Sequence, residues 1–213
     1  MKDIKYVIFD LDGTLIDSSD GVVEAVNYSL ACMGEPTQRP EDIKPFIGYP
    51  LSEMYPHFTD APVAELHRHF QVKAAETVVA STVKLPGVQE ALESLVGAGF
   101  KLAIASTKIR PHIEGIIDMF GWQSVFGAFA GGNEVRKVKP DPEILLLTIA
   151  RLQASPGQSV VVGDTINDIL AAKAVPVKSI GVASPYGGHE KVVAAGPDHF
   201  AASISEVVEL VRG

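Results

Sequence analysis

A chain of 213 residues, of which 46% are hydrophobic and 21% charged, has the composition of a globular protein with a sizeable core. The formal net charge of −8 argues against nucleic acid and against an acidic membrane surface as partners. A single cysteine excludes an intrachain disulfide, and no segment has the pattern of a signal peptide or the apolar length of a membrane span. We therefore expect a cytoplasmic protein that is a monomer or a weak homodimer.

The first predicted element is a short buried strand over residues 6–9, where β-branched and aromatic residues follow one another. Asp10 ends this strand, and Asp12 follows two positions later, just before Gly13, which lets the backbone turn sharply. An Asp-Gly pair is also a common turn signal, so this stretch taken alone allows an ordinary turn. Two acids at the end of a strand can equally hold a divalent cation beside a nucleophile.

The block from residue 16 to residue 83 contains predicted helices and no predicted strand. Glycines and prolines separate the helices, and the first one begins after the capping residues 17–19 and ends at Gly34. The other predicted helices cover residues 41–46, 51–58 and 63–80. We interpret residues 16–83 as an α-helical cap domain inserted into a core domain that consists of residues 1–15 and 84–213.

From residue 84 onwards, predicted strands and helices alternate, which is typical of parallel βαβ units. The predicted strands cover residues 101–105, 128–130, 160–162, 179–182 and 199–200. The predicted helices cover residues 88–98, 111–120, 141–152 and 166–174, and a capping box at 203–206 opens a C-terminal helix. The predicted fold class is α/β, a Rossmann-like doubly wound parallel sheet with an inserted α-helical cap domain.

Ligands of such a sheet bind outside the carboxyl ends of its strands, and several polar residues follow predicted strands. Ser106 and Thr107 offer hydroxyl and N–H groups that can bind phosphate oxygens, although Ser106 alone is as consistent with a helix N-cap. Lys139 lies beside Pro140 in a stiff segment, so its side chain can be aimed reproducibly. A lysine is more often simply exposed at a surface, and that interpretation also remains open here.

Asp164 and Asp168 follow the predicted strand 160–162 and repeat the pattern of the first strand. Because they are four residues apart, both carboxylates can face one side of the first helical turn. Acids at the start of a helix are also favoured by its dipole, which is the simpler explanation. A ligand set made of oxygens, with no histidine or cysteine, favours Mg²⁺ over zinc, and we interpret all six histidines as non-catalytic.

The run Asp10-Leu11-Asp12-Gly13-Thr14 resembles the first signature of the haloacid-dehalogenase-like superfamily of phosphatases and phosphomutases. The second, third and fourth motifs of that superfamily resemble, in the required order, the stretches around Ser106, Lys139 and Asp164. The resemblance implies an aspartyl-phosphate mechanism, with Asp10 as nucleophile and Asp12 as general acid and base. Ser106 and Lys139 would offset phosphoryl charge in that mechanism. The resemblance also implies Mg²⁺ as cofactor, with metal-site residues Asp10, Asp12, Asp164 and Asp168, of which Asp168 acts through water or by holding Lys139.

Residues 46–51 look like the substrate loop of phosphoglycolate phosphatases, as do Ile180-Gly181-Val182 and the following Tyr186-Gly187. The resemblance therefore implies a small phosphorylated metabolite as the partner, with phosphoglycolate first. A pyrophosphatase, a nucleotidase, a sugar-phosphate phosphatase and a β-phosphoglucomutase-like phosphomutase are the alternatives. The expected substrate-binding residues are Thr107, Gly13, Tyr49 and one cation of the insertion, Lys44 or Arg68.

A response-regulator receiver, which is a binding switch and not an enzyme, also combines an acidic pocket, a phosphorylatable Asp, a hydroxyl and a lysine. Receivers carry the phosphate acceptor on a middle strand and have no helical insertion. The acceptor candidate of this chain lies on the first strand, which argues for the enzyme.

Overall fold

The computed structural model describes residue 1 and residues 3–213, and its centre is a parallel β-sheet. Within the described residues there are eight strands, which are β1 (Tyr6–Phe9), β2 (Ile16–Asp17), β3 (Val83–Lys84), β4 (Lys101–Ser106), β5 (Phe126–Gly131), β6 (Ser159–Gly163), β7 (Lys178–Val182) and β8 (His199–Ala201). Six of them form one sheet in the order β5-β4-β1-β6-β7-β8, and every neighbouring pair in it is parallel. The predicted fold class is confirmed.

The described residues also form ten α-helices. These are α1 (Ser19–Cys32), α2 (Pro40–Ile43), α3 (Leu51–Met54), α4 (Val63–Thr77), α5 (Val88–Gly97), α6 (Arg110–Phe120), α7 (Glu143–Leu152), α8 (Ile166–Ala174), α9 (His189–Ala194) and α10 (Ile204–Arg212). None of them is long and apolar enough to cross a membrane.

The sheet is covered on both faces, which is why its strands are continuous apolar runs. Val7 and Phe9 of β1 point to the face covered by α5, α6 and α10, whereas Ile8 points to the face covered by α7 and α8. Successive side chains of a strand alternate between faces, so this short strand contributes to both halves of the core.

Trp122, the single tryptophan of the sequence, lies in the first of these two cores. It is fully buried, packs between Phe120 and Phe126, and donates a hydrogen bond from Nε1 to Gln89 Oε1 over 3.1 Å. The indole thereby ties the loop after α6 to α5, at a place where its only polar atom finds an acceptor.

The helices between residues 19 and 77 enclose an apolar cluster of their own, to which Leu30 of α1 and Leu66 of α4 both belong. α1 and α4 make the largest set of contacts between two elements of the molecule. A hydrogen bond of 2.5 Å between the hydroxyls of Ser29 and Tyr55 satisfies two polar groups inside this cluster. On these observations we propose that residues 16–83 form the cap domain that the sequence predicted.

The prediction that residues 16–83 contain no strand is wrong at both ends of that block. β2 and β3 pair antiparallel, with Ile16 opposite Lys84 and Asp17 opposite Val83. Each strand has only two residues, which is too short to produce a period-2 pattern, and its partner is distant in sequence. The two connections between the insertion and the sheet therefore run side by side.

Several predicted helices have different bounds in the structure because proline interrupts them. The predicted helix 41–46 is α2 followed by a 3₁₀ turn at Lys44–Phe46, and the predicted helix 51–58 is α3 followed by a 3₁₀ turn at Tyr55–His57. Pro45 and Pro56 lack the N–H that would continue an α-helix.

One further helix prediction needs correction, and one helix was not predicted at all. The predicted helix 141–152 begins at Glu143, because Pro142 is its N-cap residue and Asp141 Oδ1 accepts a hydrogen bond from the Glu143 N–H. The sequence also gave no signal for α9, which has only six residues and follows the pair Gly187-Gly188.

Candidate active site

The residues of the four sequence motifs meet at one edge of the sheet. Asp10 follows β1, Ser106 is the last residue of β4 and Asp164 follows β6. β1 pairs with β4 on one side and with β6 on the other, so the carboxyl ends of these three strands are neighbours. This is the edge of an open parallel sheet at which ligands bind.

Lys139 reaches this edge from the loop before α7, and its side chain is only 3% exposed. Its Nζ donates to Asp10 Oδ1 (2.6 Å), Asp168 Oδ1 (2.5 Å) and the Ala105 carbonyl oxygen (3.1 Å), so all three N–H groups are used. Burial disfavours the ammonium, but the two carboxylates outweigh burial and raise the pKa of Lys139 above its usual value. Lys139 therefore stays charged and holds Asp10 in place.

Asp10 is buried, and one of its oxygens has no partner among the described residues. Lys139 holds Oδ1, whereas Oδ2 accepts no hydrogen bond. The pKa of Asp10 is raised to about 7, first by burial and then by the carboxylates of Asp168 and Asp12, while the charge and hydrogen bond of Lys139 oppose the rise. A buried, unpaired carboxylate oxygen is costly unless a ligand uses it, so Oδ2 is the atom available to a cation or to a reacting phosphorus.

Three carboxylates crowd together beside this oxygen: those of Asp10, Asp164 and Asp168 each offer an atom within 4.8 Å of the others. Burial and the two neighbouring acids raise the pKa of Asp164 well above its usual value, although hydrogen bonds from Ser184 and Thr14 oppose the shift. Such crowding of oxygen ligands fits a hard cation such as Mg²⁺, which would relieve the repulsion.

The three acids differ in how many of their oxygens are already used. Asp168 Oδ1 binds Lys139, and its Oδ2 accepts from the N–H and the hydroxyl of Thr165 at 3.0 and 2.6 Å. Asp164 is held by Thr14, whose hydroxyl donates to Oδ1 over 2.9 Å. Asp10 and Asp164 are therefore the better direct ligands for a metal, and Asp168 is placed to orient Lys139.

The Asp12 carboxylate is not a member of this group of three acids. Its Oδ1 accepts a short hydrogen bond from the Ser18 hydroxyl, and its Oδ2 lies 3.1 Å from Lys108 Nζ. The role of Asp12 as a metal ligand therefore stays a prediction, and the contacts of its side chain do not support that role. The arrangement leaves Asp12 beside the site rather than within the group of three acids.

Lys108 and Ser18 are site residues that the sequence analysis missed. Lys108 directly follows Ser106 and Thr107, so its position after β4 was a signal that could have been used. Ser18 had been assigned only to helix capping, yet its hydroxyl bonds Asp12 and lies 3.3 Å from Lys108 Nζ. Both residues lie around the second acid rather than the first.

Two further residues of the predicted site, Gly13 and Ser106, already have partners within the protein. Gly13 has a φ of +80°, and a Cβ there would collide with Asp164 Oδ2 and Ser184 Oγ, so only glycine fits; its N–H already donates to the Ile16 carbonyl oxygen. Ser106 is buried and its hydroxyl accepts from the Lys108 N–H over 3.3 Å. Their predicted roles in binding and catalysis stay predictions.

A cavity of about 360 Å³ lies between this edge of the sheet and the helical insertion. The Thr107 hydroxyl donates to the Gly48 carbonyl oxygen over 3.1 Å and so connects the wall of the core to the predicted substrate loop. Tyr49 of that loop lines the cavity, and burial, followed by the charges of Glu53 and the site acids, raises its pKa. The histidines that line the cavity, among the described residues, are His67 and His112.

The two cations expected from the insertion lie elsewhere. Lys44 and Arg68 are not among the residues that line the cavity, and Arg68 forms an exposed ion pair with Glu65. Lys44 is half-buried and contributes to lowering the pKa of Asp17. Neither residue lines the cavity, so a role for either of them in substrate binding stays a prediction.

Comparison with known proteins places this site in a family. A family model of haloacid dehalogenase-like hydrolases matches residues 7–182. "Probable phosphatase IndB" of Dickeya dadantii is 34% identical over 209 residues, which are 95% of this chain and 91% of that protein. The phosphoglycolate phosphatase of Vibrio parahaemolyticus is 31% identical and covers 99% of this chain and 97% of its own length. The pyrophosphatase PpaX of Bacillus velezensis is 29% identical over 98% of this chain and 97% of its own length.

Solved structures agree with this result. A haloacid dehalogenase-like family hydrolase from Streptococcus pneumoniae has the same fold, with a TM-score of 0.89, 23% identity and 99% of both chains covered. CbbY from Rhodobacter sphaeroides, in complex with xylulose-1,5-bisphosphate, has a TM-score of 0.78 and 26% identity over 95% of this chain and 96% of its own. The resemblance of the four motifs is thus confirmed, and this chain belongs to the haloacid dehalogenase-like hydrolase family.

Proposed function

We propose that this chain, a phosphatase of the haloacid dehalogenase-like family, is a Mg²⁺-dependent enzyme that acts through an aspartyl-phosphate on Asp10. The observation that carries the proposal is the buried Asp10 Oδ2, which is unpaired among the described residues while Lys139 fixes Oδ1. A nucleophilic carboxylate needs this combination of a fixed orientation and one free oxygen. The metal would be held by Asp10 and Asp164 and would offset negative charge on the phosphoryl oxygens.

The side chains of the site divide the reaction between them. Asp10 Oδ2 attacks phosphorus while the bond to the leaving oxygen breaks, and Asp12 supplies the proton to that oxygen. In the second step, Asp12 takes a proton from the water that attacks the aspartyl-phosphate, so that Asp10 is regenerated. Lys139, through its charge, and Ser106, through its hydroxyl, are the groups that stabilise negative charge on the transferring phosphoryl group.

The substrate that we propose is a small phosphorylated metabolite, with phosphoglycolate as the first candidate. The predicted substrate loop lies over the site, where Gly48 is bonded to Thr107 and Tyr49 lines the cavity. The similarity to the phosphoglycolate phosphatase of V. parahaemolyticus supports this choice. Pyrophosphate is the second candidate, because the pyrophosphatase of B. velezensis covers the chain almost completely. Family membership argues against the receiver alternative.

The deciding experiment measures phosphate release from a panel that contains phosphoglycolate, pyrophosphate, a nucleoside monophosphate and sugar phosphates. We expect release with Mg²⁺, none in excess chelator, and recovery when Mg²⁺ is restored. A phosphomutase would instead need an added bisphosphate and would isomerise a sugar phosphate without net release. Full activity in excess chelator would refute the metal assignment, and no release from any compound would refute the function.

The cytoplasmic location and the monomeric or weakly dimeric state stay predictions.

A further inference from the structure

We propose that Lys108 binds an anionic group on the leaving part of the substrate, so that the enzyme selects phosphate compounds whose leaving group carries a negative charge. That group is a carboxylate in a phosphorylated hydroxy acid and a phosphate in pyrophosphate. The inference rests on the proposed phosphatase function and adds the class of substrate to it.

The position of Lys108 next to Asp12 is the first observation. Its side chain is only 6% exposed, and its Nζ lies 3.1 Å from Asp12 Oδ2 and 3.3 Å from Ser18 Oγ. Asp12 is the residue that delivers a proton to the leaving oxygen in the proposed reaction, so the leaving group passes within contact distance of it. A cation paired with Asp12 is therefore beside the leaving group and not beside the nucleophile.

The second observation is that the other buried lysine of the site is fully engaged. Lys139 Nζ has three acceptors, two of them the carboxylates of Asp10 and Asp168. An ammonium has three N–H donors, and the described residues supply Lys108 Nζ with only the two acceptors on Asp12 and Ser18. Lys108 can therefore accept one further anionic partner, whereas Lys139 has no donor left.

The cavity provides the third observation, because Lys108 is the one lysine or arginine among the described residues that line it. Most of its wall is apolar, with Ile47, Phe70 and Met54 among the lining residues, and an anion placed there without a cation would be strongly disfavoured. His112 lines the same cavity, but burial and the charge of Lys108 lower its pKa to about 4, so its ring is uncharged near neutral pH. Among the lysines and arginines that the structure describes, Lys108 is therefore the one that can balance the charge of a substrate in this space.

A matched set of substrates tests the proposal. Phosphoglycolate and 2-hydroxyethyl phosphate have the same two-carbon chain, and an uncharged hydroxymethyl group in the second replaces the carboxylate of the first. Pyrophosphate carries the charge of its leaving group as phosphate. For Lys108→Met we expect kcat/KM to fall about 10- to 100-fold more for the charged compound than for 2-hydroxyethyl phosphate, since a hydrogen-bonded ion contact is lost. Comparing each substrate between variant and wild type cancels the intrinsic reactivity of the leaving groups. The charged substrate with the larger fall in kcat/KM shows whether Lys108 binds a carboxylate or a phosphate.

Three variants accompany this measurement. Lys137→Met removes an exposed lysine from the loop before α7, with a side chain 76% exposed, and should change neither rate. Lys108→Arg keeps the cation and should keep most of the preference. Lys108→Gln gives Asp12 a polar neighbour and replaces the methionine variant if that protein does not fold. An equal loss of kcat/KM on charged and uncharged substrates would overturn the proposal, because Lys108 would then act only through Asp12.

A binding measurement separates this inference from the proposed function. With Mg²⁺ present, calorimetry would compare phosphoglycolate and pyrophosphate binding to Asp10→Asn with their binding to Asp10→Asn combined with Lys108→Met. We expect the second protein to bind at least one of them about 10- to 100-fold more weakly, while the affinity for inorganic phosphate changes much less. Equal affinities in the two proteins, including no measurable binding in either, would overturn the proposal even if turnover is normal.

Discussion

The two sides of the cavity differ in the charge of the side chains that they contribute. The side of the site that the sheet makes, which we call the sheet wall, carries charges that are buried and paired with one another. Asp12 and Lys108 form one pair and line the cavity, whereas Asp10 and Lys139 form a second pair that is not among the lining residues. The wall made by the helical insertion contributes no lysine, arginine, aspartate or glutamate among the described residues, and consists mainly of apolar side chains such as Ile47 and Phe70. If the proposed function is correct, this difference means that catalysis and charge recognition belong to the sheet, and that the insertion supplies shape and excludes water.

Within the sheet wall there is a second contrast, between the two acids of the first motif. Both follow β1, but Asp10 faces the group of three carboxylates whereas Asp12 faces Lys108 and Ser18. A pure charge argument would treat them as equivalent. Because their partners differ, substitution of Asp10 and substitution of Asp12 should lower turnover by different factors.

The largest effect is expected for Asp10→Asn, which removes the nucleophile from the sheet wall. Turnover should fall by about 10⁴-fold or more with every substrate, and no phosphoryl group should be found on the protein. Phosphate release and intact mass after rapid acid quench measure the two quantities. Asp60→Asn, at an exposed position of the insertion, is the matched control and should behave as wild type. Phosphorylated protein in the Asp10 variant would show that the nucleophile lies elsewhere.

A smaller loss, of about 10²- to 10⁴-fold, is expected for Asp12→Asn, because a proton transfer is removed and the nucleophile is kept. With p-nitrophenyl phosphate the leaving group is stable without a proton, so the first step should partly survive. The second step still lacks a base for water, and aspartyl-phosphate should therefore accumulate. Intact-mass measurement after acid quench would detect it. Complete absence of labelling, as in the Asp10 variant, would contradict the division of roles.

Charge crowding at the sheet wall also predicts how stability depends on pH in the absence of metal. The pKa of Asp10 is raised from about 3.8 to about 7, so the folded state binds more protons than the unfolded chain between these values. The free energy of unfolding should therefore fall as pH rises through this range. Denaturant titrations from pH 4 to pH 8 in chelator would show the fall. Mg²⁺ should restore more stability at pH 8 than at pH 5.

The control for this pH dependence is the Asp10→Asn protein. Its free energy of unfolding should fall less steeply with pH, because the titrating carboxyl group is absent. Asp60→Asn should retain the full slope. A metal-free stability that rises between pH 4 and pH 7 in wild type would contradict the proposed repulsion among the three acids.

The smallest effect is expected at the insertion wall. Tyr49→Phe removes the hydroxyl of a residue that lines the cavity, and it should change the ranking of substrates by about 2- to 10-fold in kcat/KM. The rate with p-nitrophenyl phosphate should change less, since the charged groups of the sheet wall are untouched. Tyr28→Phe, at an exposed position on α1, is the control. A ranking that stays unchanged would mean that Tyr49 only shapes the loop.

The sequence predicted the sheet and its polar edge well, because each strand there is an apolar run that ends in a chemically distinctive residue. Asp10, Ser106 and Asp164 all fall at strand ends, and buried parallel strands fix their relative positions through hydrogen-bonded register. In this part of the chain the local sequence pattern agrees with the long-range geometry. The motifs therefore predicted which residues lie next to one another in the folded protein.

The insertion and the surroundings of Asp12 could not be predicted in the same way. The position of Lys108 after β4 was a usable signal, but its contact with Asp12 and Ser18 joins distant parts of the chain, and no local pattern encodes that contact. Lys44 and Arg68 were chosen for their charge, but helix rotation and packing decide whether a side chain faces a cavity. Two-residue strands such as β2 likewise depend on a distant partner rather than on their own sequence.

Trp122 makes the two parts of the molecule distinguishable by spectroscopy. It is the only tryptophan, it is buried beneath α5 and α6, and the apolar cluster of the insertion does not include it. Indole emission therefore reports the packing of the sheet side alone, whereas far-ultraviolet circular dichroism records the helices of both parts. A loss of helical signal that leaves the emission maximum unshifted belongs to the insertion, and a red shift marks the entry of water into the core beneath the sheet.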